Sequence, residues 1–365
     1  MAFLSNKSVL VTGGVGTVGK ELVHQMLDQH PREVRVVDSN ESEVFFLEQE
    51  IQRRLDGDLK CPTHFHCFVG DVRDADKMTR LCEGIDVVFH VAALKHVILC
   101  ERAPFDAVQT NIVGVRNVIN AALANDVERV IFTSSDKAVN PTNVMGTSKL
   151  MGERLITAAN SLKIGRRTIF SSTRFGNVLG SRGSVVPIFA RQIQTGSPIT
   201  LTDDRMTRFI MTLEESCRLV LTAAQQARGG EVFVTKMPVI RIADLAEVMV
   251  DMLAPAFGHD PDQVKIVRIG AKAGEKMYEE LMSDEETRRT LELEEMFAVL
   301  PAFRSVYQDI RYEYDNIVNR DVTDPYCSSN CKAMTKKEIR AYFSRHRLLD
   351  AWLPADQIAR NRRAA

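Results

Sequence analysis

Residues 8–20 read SVLVTGGVGTVGK, and this stretch decides the fold. Ser8–Thr12 is apolar and rich in β-branched side chains, the pattern of a buried strand. Thr12-Gly13-Gly14-Val15-Gly16-Thr17-Val18-Gly19 then runs into the periodic stretch Lys20–Gln29, and a second strand pattern, Glu33–Asp38, ends on an acid. That acid falls about 20 residues beyond the glycines, the spacing of a dinucleotide-binding βαβ opening. Glycines let the backbone turn tightly and approach a pyrophosphate, whose charge is met by N–H groups at the helix start. Asp38 is expected to hydrogen-bond the adenosine ribose and to repel a 2′-phosphate, and no Arg or Lys follows in Ser39-Asn40-Glu41-Ser42. NAD is therefore expected in preference to NADP, on Gly13, Gly16, Thr17, Val18, Gly19 and Asp38.

The rhythm continues outward from this opening. His64–Gly70, Val87–Val91, Arg129–Ser134 and Arg167–Thr173 read as further strands. Helical patterns at Glu41–Leu55, Asp74–Leu81, Phe105–Asn125 and Gly146–Leu162 separate them. Alternation of this kind predicts an α/β fold, a Rossmann-like doubly wound parallel sheet with helices on both faces. Gly70-Asp71-Val72 ends the third strand, where it either reaches the adenine edge or simply turns the chain. After Arg174 come the loops GNVLGSRGSVVP and TGSPITLTDD, then helical patterns at Leu213–Gln226 and Ile242–Leu253. The expected organisation is a cofactor domain over 1–174, a smaller α/β substrate-binding lobe over 175–311 with elements exchanged between lobes, and an extension over 312–365. The lobe is expected to lack a comparable core of its own. The segment after Leu281 is expected to close over a nucleotide or to join subunits.

Lys and Arg number 47 against 48 Asp and Glu, so no global field favours nucleic acid or an anionic membrane surface. Anions must be met by local sites. No apolar run approaches the ~18 residues that span a bilayer, and no cleavable leader precedes the first strand. A cytoplasmic protein without membrane insertion is expected. Seven scattered cysteines suit reduced thiols, and Cys327 and Cys331 lack the two further ligands that zinc would need, so no metal is expected.

Active sites of open α/β sheets lie at the carboxyl ends of the strands. The fifth strand ends in Ser134-Ser135-Asp136-Lys137, and Met145-Gly146-Thr147-Ser148-Lys149 follows into a helix. Positions 145 and 149 lie one turn apart, so both side chains are expected to face the nicotinamide. In many short-chain dehydrogenases this pair is Tyr and Lys, the Lys lowering the Tyr pKa so that phenolate takes a hydroxyl proton. Met145 cannot titrate. Ser135, Asp136 and Lys137 are then the adjacent candidates for proton transfer; alone, an Asp–Lys pair would read as a solvated strand end.

SSDKAVNPTNVMGTSK, with AALKHV at Ala92–Val97, RFGNVLGSRGSVVPIF at Arg174–Phe189 and GEK at Gly274–Lys276, resembles the nucleotide-sugar 4,6-dehydratases of bacterial glycan biosynthesis. These are extended short-chain dehydrogenase/reductases acting on UDP-N-acetylglucosamine. The likeness covers about Ser8 to Leu281 and matches the branch with Met in place of Tyr, without that branch's membrane segments. It implies oxidation at C4, loss of water across C5 and C6, and return of the hydride to C6. Lys137 would be the base at C5, Asp136 the acid at the C6 hydroxyl, and Ser135 a relay at the C4 hydroxyl. Lys149 would orient the nicotinamide ribose, with Met145 packed on sugar or cofactor. Asp71, Val72, Ala92, Ala93 and Lys95 would line the cofactor, and Lys95 would also face substrate unless it is merely solvated. Asn111 would brace the backbone near the active-site strand.

Arg174, Asn177, Ser181, Arg182 and Ser184 offer donors for a sugar diphosphate. Arg208 is a second candidate phosphate clamp unless it forms an ordinary ion pair, and Glu275 resembles the acid that reads the uridine ribose. The sequence departs from the family where Lys272-Ala273 replaces Arg-Pro before GEK. Two other readings stay open: a UDP-sugar 4-epimerase, and a non-catalytic NAD-binding regulator. The helices Phe105–Asn125 and Gly146–Leu162 are those that related enzymes use to pair protomers, so a homo-oligomer is expected.

Overall fold

The computed structural model describes residues 2–57, 63–162, 168–181, 183–270, 275–303 and 310–354. Cys61, Arg167, Arg182 and 271–274, which hold the Lys272-Ala273 departure and Gly274, lie outside the described residues. The chain forms two compact units, one of Met1–Phe175, Glu214–Lys236 and Leu281–Pro325, the other of Gly176–Leu213, Met237–Glu280 and Tyr326–Ala365. The stretches expected as a second lobe and as an extension are each divided between the two.

The first unit holds strands β1 (Ser8–Thr12), β2 (Glu33–Asp38), β3 (His64–Val69), β4 (Val87–His90), β5 (Arg129–Thr133) and β6 (Ile169–Arg174). The second begins with β7 (Asn177–Val178), β8 (Ile199–Leu201) and β9 (Thr207–Met211). β10 (Val232–Thr235) returns to the first unit, β11 (Val239–Arg241) and β12 (Ile266–Arg268) to the second. After β13 (Glu280–Met282) come β14 (Thr290–Leu293), β15 (Met296–Val299), β16 (Ile317–Asn319) and β17 (Tyr326–Cys327). The helices are α1 (Thr17–Leu27), α2 (Glu41–Asp56), α3 (Ala75–Leu81), α4 (Val97–Arg102), α5 (Pro104–Val108), α6 (Gly114–Ala124) and α7 (Val144–Ala159). They continue with α8 (Val185–Gln194), α9 (Leu213–Gln226), α10 (Ile242–Leu253), α11 (Asp284–Thr287) and α12 (Lys336–Arg345).

In the first unit one sheet runs β16-β14-β15-β10-β6-β5-β4-β1-β2-β3. Its members from β3 to β10 are parallel, and the order 3-2-1-4-5-6 is that of the doubly wound dinucleotide fold. Alternation along β1 shows why both faces are covered. Val9 and Val11 pack with Leu22, Met26, Leu47 and Val220 of α1, α2 and α9, whereas Leu10 packs with Met78, Val118 and Ile156 of α3, α6 and α7. β14, β15 and β16 add an antiparallel edge. Thr290–Leu293, Met296–Val299 and Ile317–Asn319, in the segment after Leu281, thus extend the sheet, with LELEEMFAV closing a tight hairpin between two apolar strands.

The expected helix Phe105–Asn125 is interrupted by a π-helical turn at Gln109–Val113, centred on Asn111. The second unit corrects a further expectation. Val186, Phe189, Ile193, Leu245, Met249, Leu253, Ile339 and Phe343 are buried together, so this unit has an apolar core of its own. Its individually short segments interleave α8 and α10 with α12 from the end of the chain, which a linear reading could not anticipate.

Candidate active site

Gly13 takes φ +69°, and a Cβ there would lie 2.6 Å from the Ala92 backbone. A Cβ on Gly19 would lie 2.2 Å from the Gly13 carbonyl oxygen. Only bare backbone fits at these two positions. No side chain caps α1 at Gly16, and its first turn carries no acid, so its N–H groups remain for an anion. Thr17 and Val18 begin that turn half-buried. Asp38 Oδ2 accepts from the Val15 N–H at 3.4 Å and Oδ1 from Asn40 at 3.1 Å, which fixes the acid beside the glycine loop. This cradle suits a dinucleotide, with the pyrophosphate at α1 and the ribose at Asp38.

Asp71 is chelated by Arg73, whose hydrogen bonds hold the carboxyl below its ordinary range. Val72 is buried, and Asn117 donates to its carbonyl at 3.0 Å. Ala92 and Ala93 are half-buried past the end of β4, and Lys95 is exposed. Buried Asn111 ties this segment down: its amide donates to the Leu94 carbonyl at 3.0 Å and its oxygen accepts from the Leu94 N–H at 2.9 Å.

At the end of β5, Ser135 caps a 3-10 turn over Asp136–Ala138. Its hydroxyl donates to Asp136 Oδ1 at 2.6 Å, and the Lys137 ammonium donates to both Asp136 oxygens at 3.0 and 3.2 Å. Asp136 is buried, whereas the Lys137 side chain stays 34% exposed. Such an arrangement holds an ion pair whose lysine end opens outward. Helix α7 presses on this turn because residue 146 is Gly: a Cβ there would sit 2.2 Å from the Lys137 carbonyl. Asn143 and Glu101 accept from the N–H groups of Gly146 and Val144 and so fix the start of α7.

Lys149 is buried, donates to the Thr133 carbonyl at 2.9 Å and lies 4.6 Å over the Phe132 ring. Burial lowers it to about 8, against the opposing pull of Glu153. Met145 precedes Lys149 by one turn of α7. It is buried against Cys100 and Ala107, beneath Val97 and Val144, and anchors α4 to α7. α4 thus supplies an apolar pocket for Met145 one turn before Lys149.

The expectation for Arg174 is corrected. It is buried, and its five N–H groups go to Glu153 at 2.8 and 2.7 Å, Glu286 at 2.8 Å twice, and the Leu281 carbonyl at 3.0 Å. Burial opposes its charge, but the two carboxylates outweigh burial and raise it above the ordinary arginine range. No donor is left for a diphosphate.

In the second unit Asn177 donates to Glu279 at 2.7 Å and to the Phe209 carbonyl at 3.1 Å. Arg208 donates to the carbonyls of Thr207, Lys276 and Met277 and pairs with Glu279 at 3.3 Å, with Glu275 at 3.8 Å. It clasps the Glu275–Glu279 strap, and a phosphate would have to displace these acceptors. Ser181 and Ser184 stand in the loop before α8, the buried Ser184 hydroxyl without a partner among the described residues. Among those residues no group of His, Cys, Asp or Glu could hold a metal ion, and no helix is long and apolar enough to cross a membrane.

Sequence reasoning missed His90, Glu153, Glu279 and Glu286. His90 is buried on β4, bonds Thr12 at 2.6 Å and stacks on Phe132; burial, helped by the Lys149 charge, drives it down to about 3, so it stays neutral. A His inside the apolar run of β4, and a Glu one helical turn after Lys149, were the available signals.

A family model described as "Polysaccharide biosynthesis protein" matches residues 9–301. The chain belongs to this polysaccharide biosynthesis protein family. An uncharacterized membrane protein of Methanocaldococcus jannaschii is 47% identical, covering 93% of this chain and 95% of its own length. The inverting UDP-N-acetylglucosamine 4,6-dehydratase of Campylobacter jejuni is 37% identical (84% and 86%), and a UDP-glucose 4-epimerase of Rickettsia canadensis 35% identical (92% and 94%). Among solved structures, Pen from Bacillus thuringiensis superposes with a TM-score of 0.85 at 42% identity, covering 95% of this chain and 99% of Pen. Nucleotide-sugar dehydratases and epimerases are thus relatives of this family member along most of its length.

Proposed function

We propose that the chain is an NAD-dependent 4,6-dehydratase that converts UDP-N-acetylglucosamine to a UDP-4-keto-6-deoxy-N-acetylhexosamine. The observation that carries this reading is the Asp136–Lys137 pair, one member buried and one opening outward, at the carboxyl end of β5 beside Lys149. The nicotinamide, when bound, would take a hydride from C4 and return it to C6. Ser135 is positioned to pass the C4 hydroxyl proton toward Asp136. Lys137, 3.0 Å from Asp136, acts as the neutral amine, and the C4 proton received by Asp136 makes it the carboxylic acid. The amine then takes the C5 proton while the acid protonates the departing C6 hydroxyl, which leaves as water. Elimination leaves the Lys137 ammonium beside the Asp136 carboxylate, and the ammonium returns its proton to C5 as the hydride reaches C6.

In this reading Gly13, Gly16, Thr17, Val18, Gly19, Asp38, Asp71, Val72, Ala92, Ala93, Lys95 and Lys149 serve the cofactor. Asn177, Ser181, Arg182, Ser184 and Glu275 serve the nucleotide, with Arg208 holding the strap that carries Glu275. A homo-oligomer is supported by exposed Ile98, Leu99 and Phe105, the last 84% exposed. The epimerase relative favours a second reading, return of the hydride to C4, which needs no elimination acid. Incubation with UDP-N-acetylglucosamine in deuterated water, without added nicotinamide, separates them. A 4-keto-6-deoxy product with deuterium at C5 is expected, lost in Lys137→Ala. Recovery of only starting material or its 4-epimer overturns the proposal.

A further inference from the structure

We propose that Arg174 and Glu153 are positioning residues for Lys149: the bidentate Arg174–Glu153 pair fixes where a carboxylate stands, and how much charge it shows, one helical turn from the Lys149 ammonium. This rests on the reading of Lys149 as a cofactor-facing residue and goes beyond it by assigning what sets its charge.

Glu153 follows Lys149 by four residues on α7, so both project from one face of the helix. Its two oxygens take Arg174 Nε and Nη2 at 2.8 and 2.7 Å from β6. The opposite edge of the guanidinium takes Glu286 of α11, which also accepts from the Ser283 N–H at 3.0 Å and has Arg289 at 3.6 Å. Arg174 thus bridges α7, β6 and α11 with every donor used, a rigid fork that Lys could not copy. Lys149 meets few other charges. From β4 it faces His90, which is neutral; from β5 it meets the Thr133 carbonyl and the Phe132 ring, with the Asp136–Lys137 pair beyond the strand end. Among the described residues Glu153 is the carboxylate that raises the Lys149 pKa, and the same carboxylate is paired with Arg174.

Opposite signs follow for two substitutions. Glu153→Gln keeps the shape and one acceptor for Arg174 but removes the negative charge, so Lys149 loses its proton at lower pH. Arg174→Gln leaves a buried carboxylate facing Lys149, which then keeps its proton to higher pH. Because Arg174→Gln strips partners from two buried carboxylates and can fail to fold, Glu153→Gln is the primary variant. Glu286→Gln is its control: it disturbs Arg174 equally but removes no charge beside Lys149.

The experiment is the dissociation constant of NAD for the full chain, measured by calorimetry from pH 6 to 10, a readout that needs no turnover. A midpoint near 8 is expected for the parent, about one unit lower in Glu153→Gln and unmoved in Glu286→Gln. Equal shifts in both variants, or none in Glu153→Gln while NAD still binds, overturn the inference. No NAD binding by the parent at any pH would instead overturn the proposed function.

Discussion

Replacing Met145 with Tyr would recreate the Tyr-x-x-x-Lys pair, and the structure says that it should damage the protein and not improve it. Met145 is 3% exposed, with Cys100 and Ala107 fully enclosed against it. Forcing an aromatic ring into such a packed site costs about 1–3 kcal/mol. A phenol hydroxyl buried there without a partner adds about 1–3 kcal/mol. Thermal unfolding followed by far-UV circular dichroism should therefore show Met145→Tyr lowered by at least about 4 °C. Met145→Leu, which conserves volume, should cost under about 1.5 kcal/mol. Product formation from UDP-N-acetylglucosamine should fall or stay level in the Tyr variant. If Met145→Tyr is as stable as the parent and turns over faster, position 145 faces the reacting sugar and the pocket formed with α4 has been misread.

Gly19→Ala would place a Cβ 2.2 Å from the Gly13 carbonyl oxygen, so the glycine loop must open. NAD affinity should drop more than tenfold, over about 1.4 kcal/mol, in a fluorescence titration; unchanged affinity would place the cofactor elsewhere. Glu286 gives an acid limb to stability. Burial alone would raise it, but Arg174 outweighs burial and lowers it from 4.5 to about 2. Its folded pKa is depressed, so its contribution is present above about 4.5 and is lost as pH falls toward 2. Urea midpoints should decline across that window in the parent and less steeply in Glu286→Gln; equal slopes would mean that the carboxylate is not ionised in its pair with Arg174.

The parallel half of the sheet was legible because its code is local. β1 begins and ends where its run of buried, uncharged residues does, since a strand covered on both faces leaves no room for charge. Asn111 was legible as a position needing a reason, because a helix-interior amide is costly unless it bonds elsewhere; that it sits in a π-helical turn was not. The edge strands β14, β15 and β16 escaped notice because they are short and an acidic turn, Glu294-Glu295, splits β14 from β15. Only their register against β10, far earlier in the chain, makes them sheet.

Arg174 was misread because its partners come from elsewhere in the chain. Residue type and spacing tell which groups reach the carboxyl end of the sheet, but not what stands opposite them. An Arg at a strand end is an anion donor only if no carboxylate reaches it first. Here Glu153 and Glu286 reach it from α7 and α11, elements separated from it by 21 and 112 residues. Likewise the packing of Met145 against α4 went unread, because α4 is six residues long and absent from the periodicity. Position 145 belongs to the packing that holds α7 against α4, and in the proposed mechanism proton transfer falls to Ser135, Asp136 and Lys137, against which the same helix packs closely through Gly146.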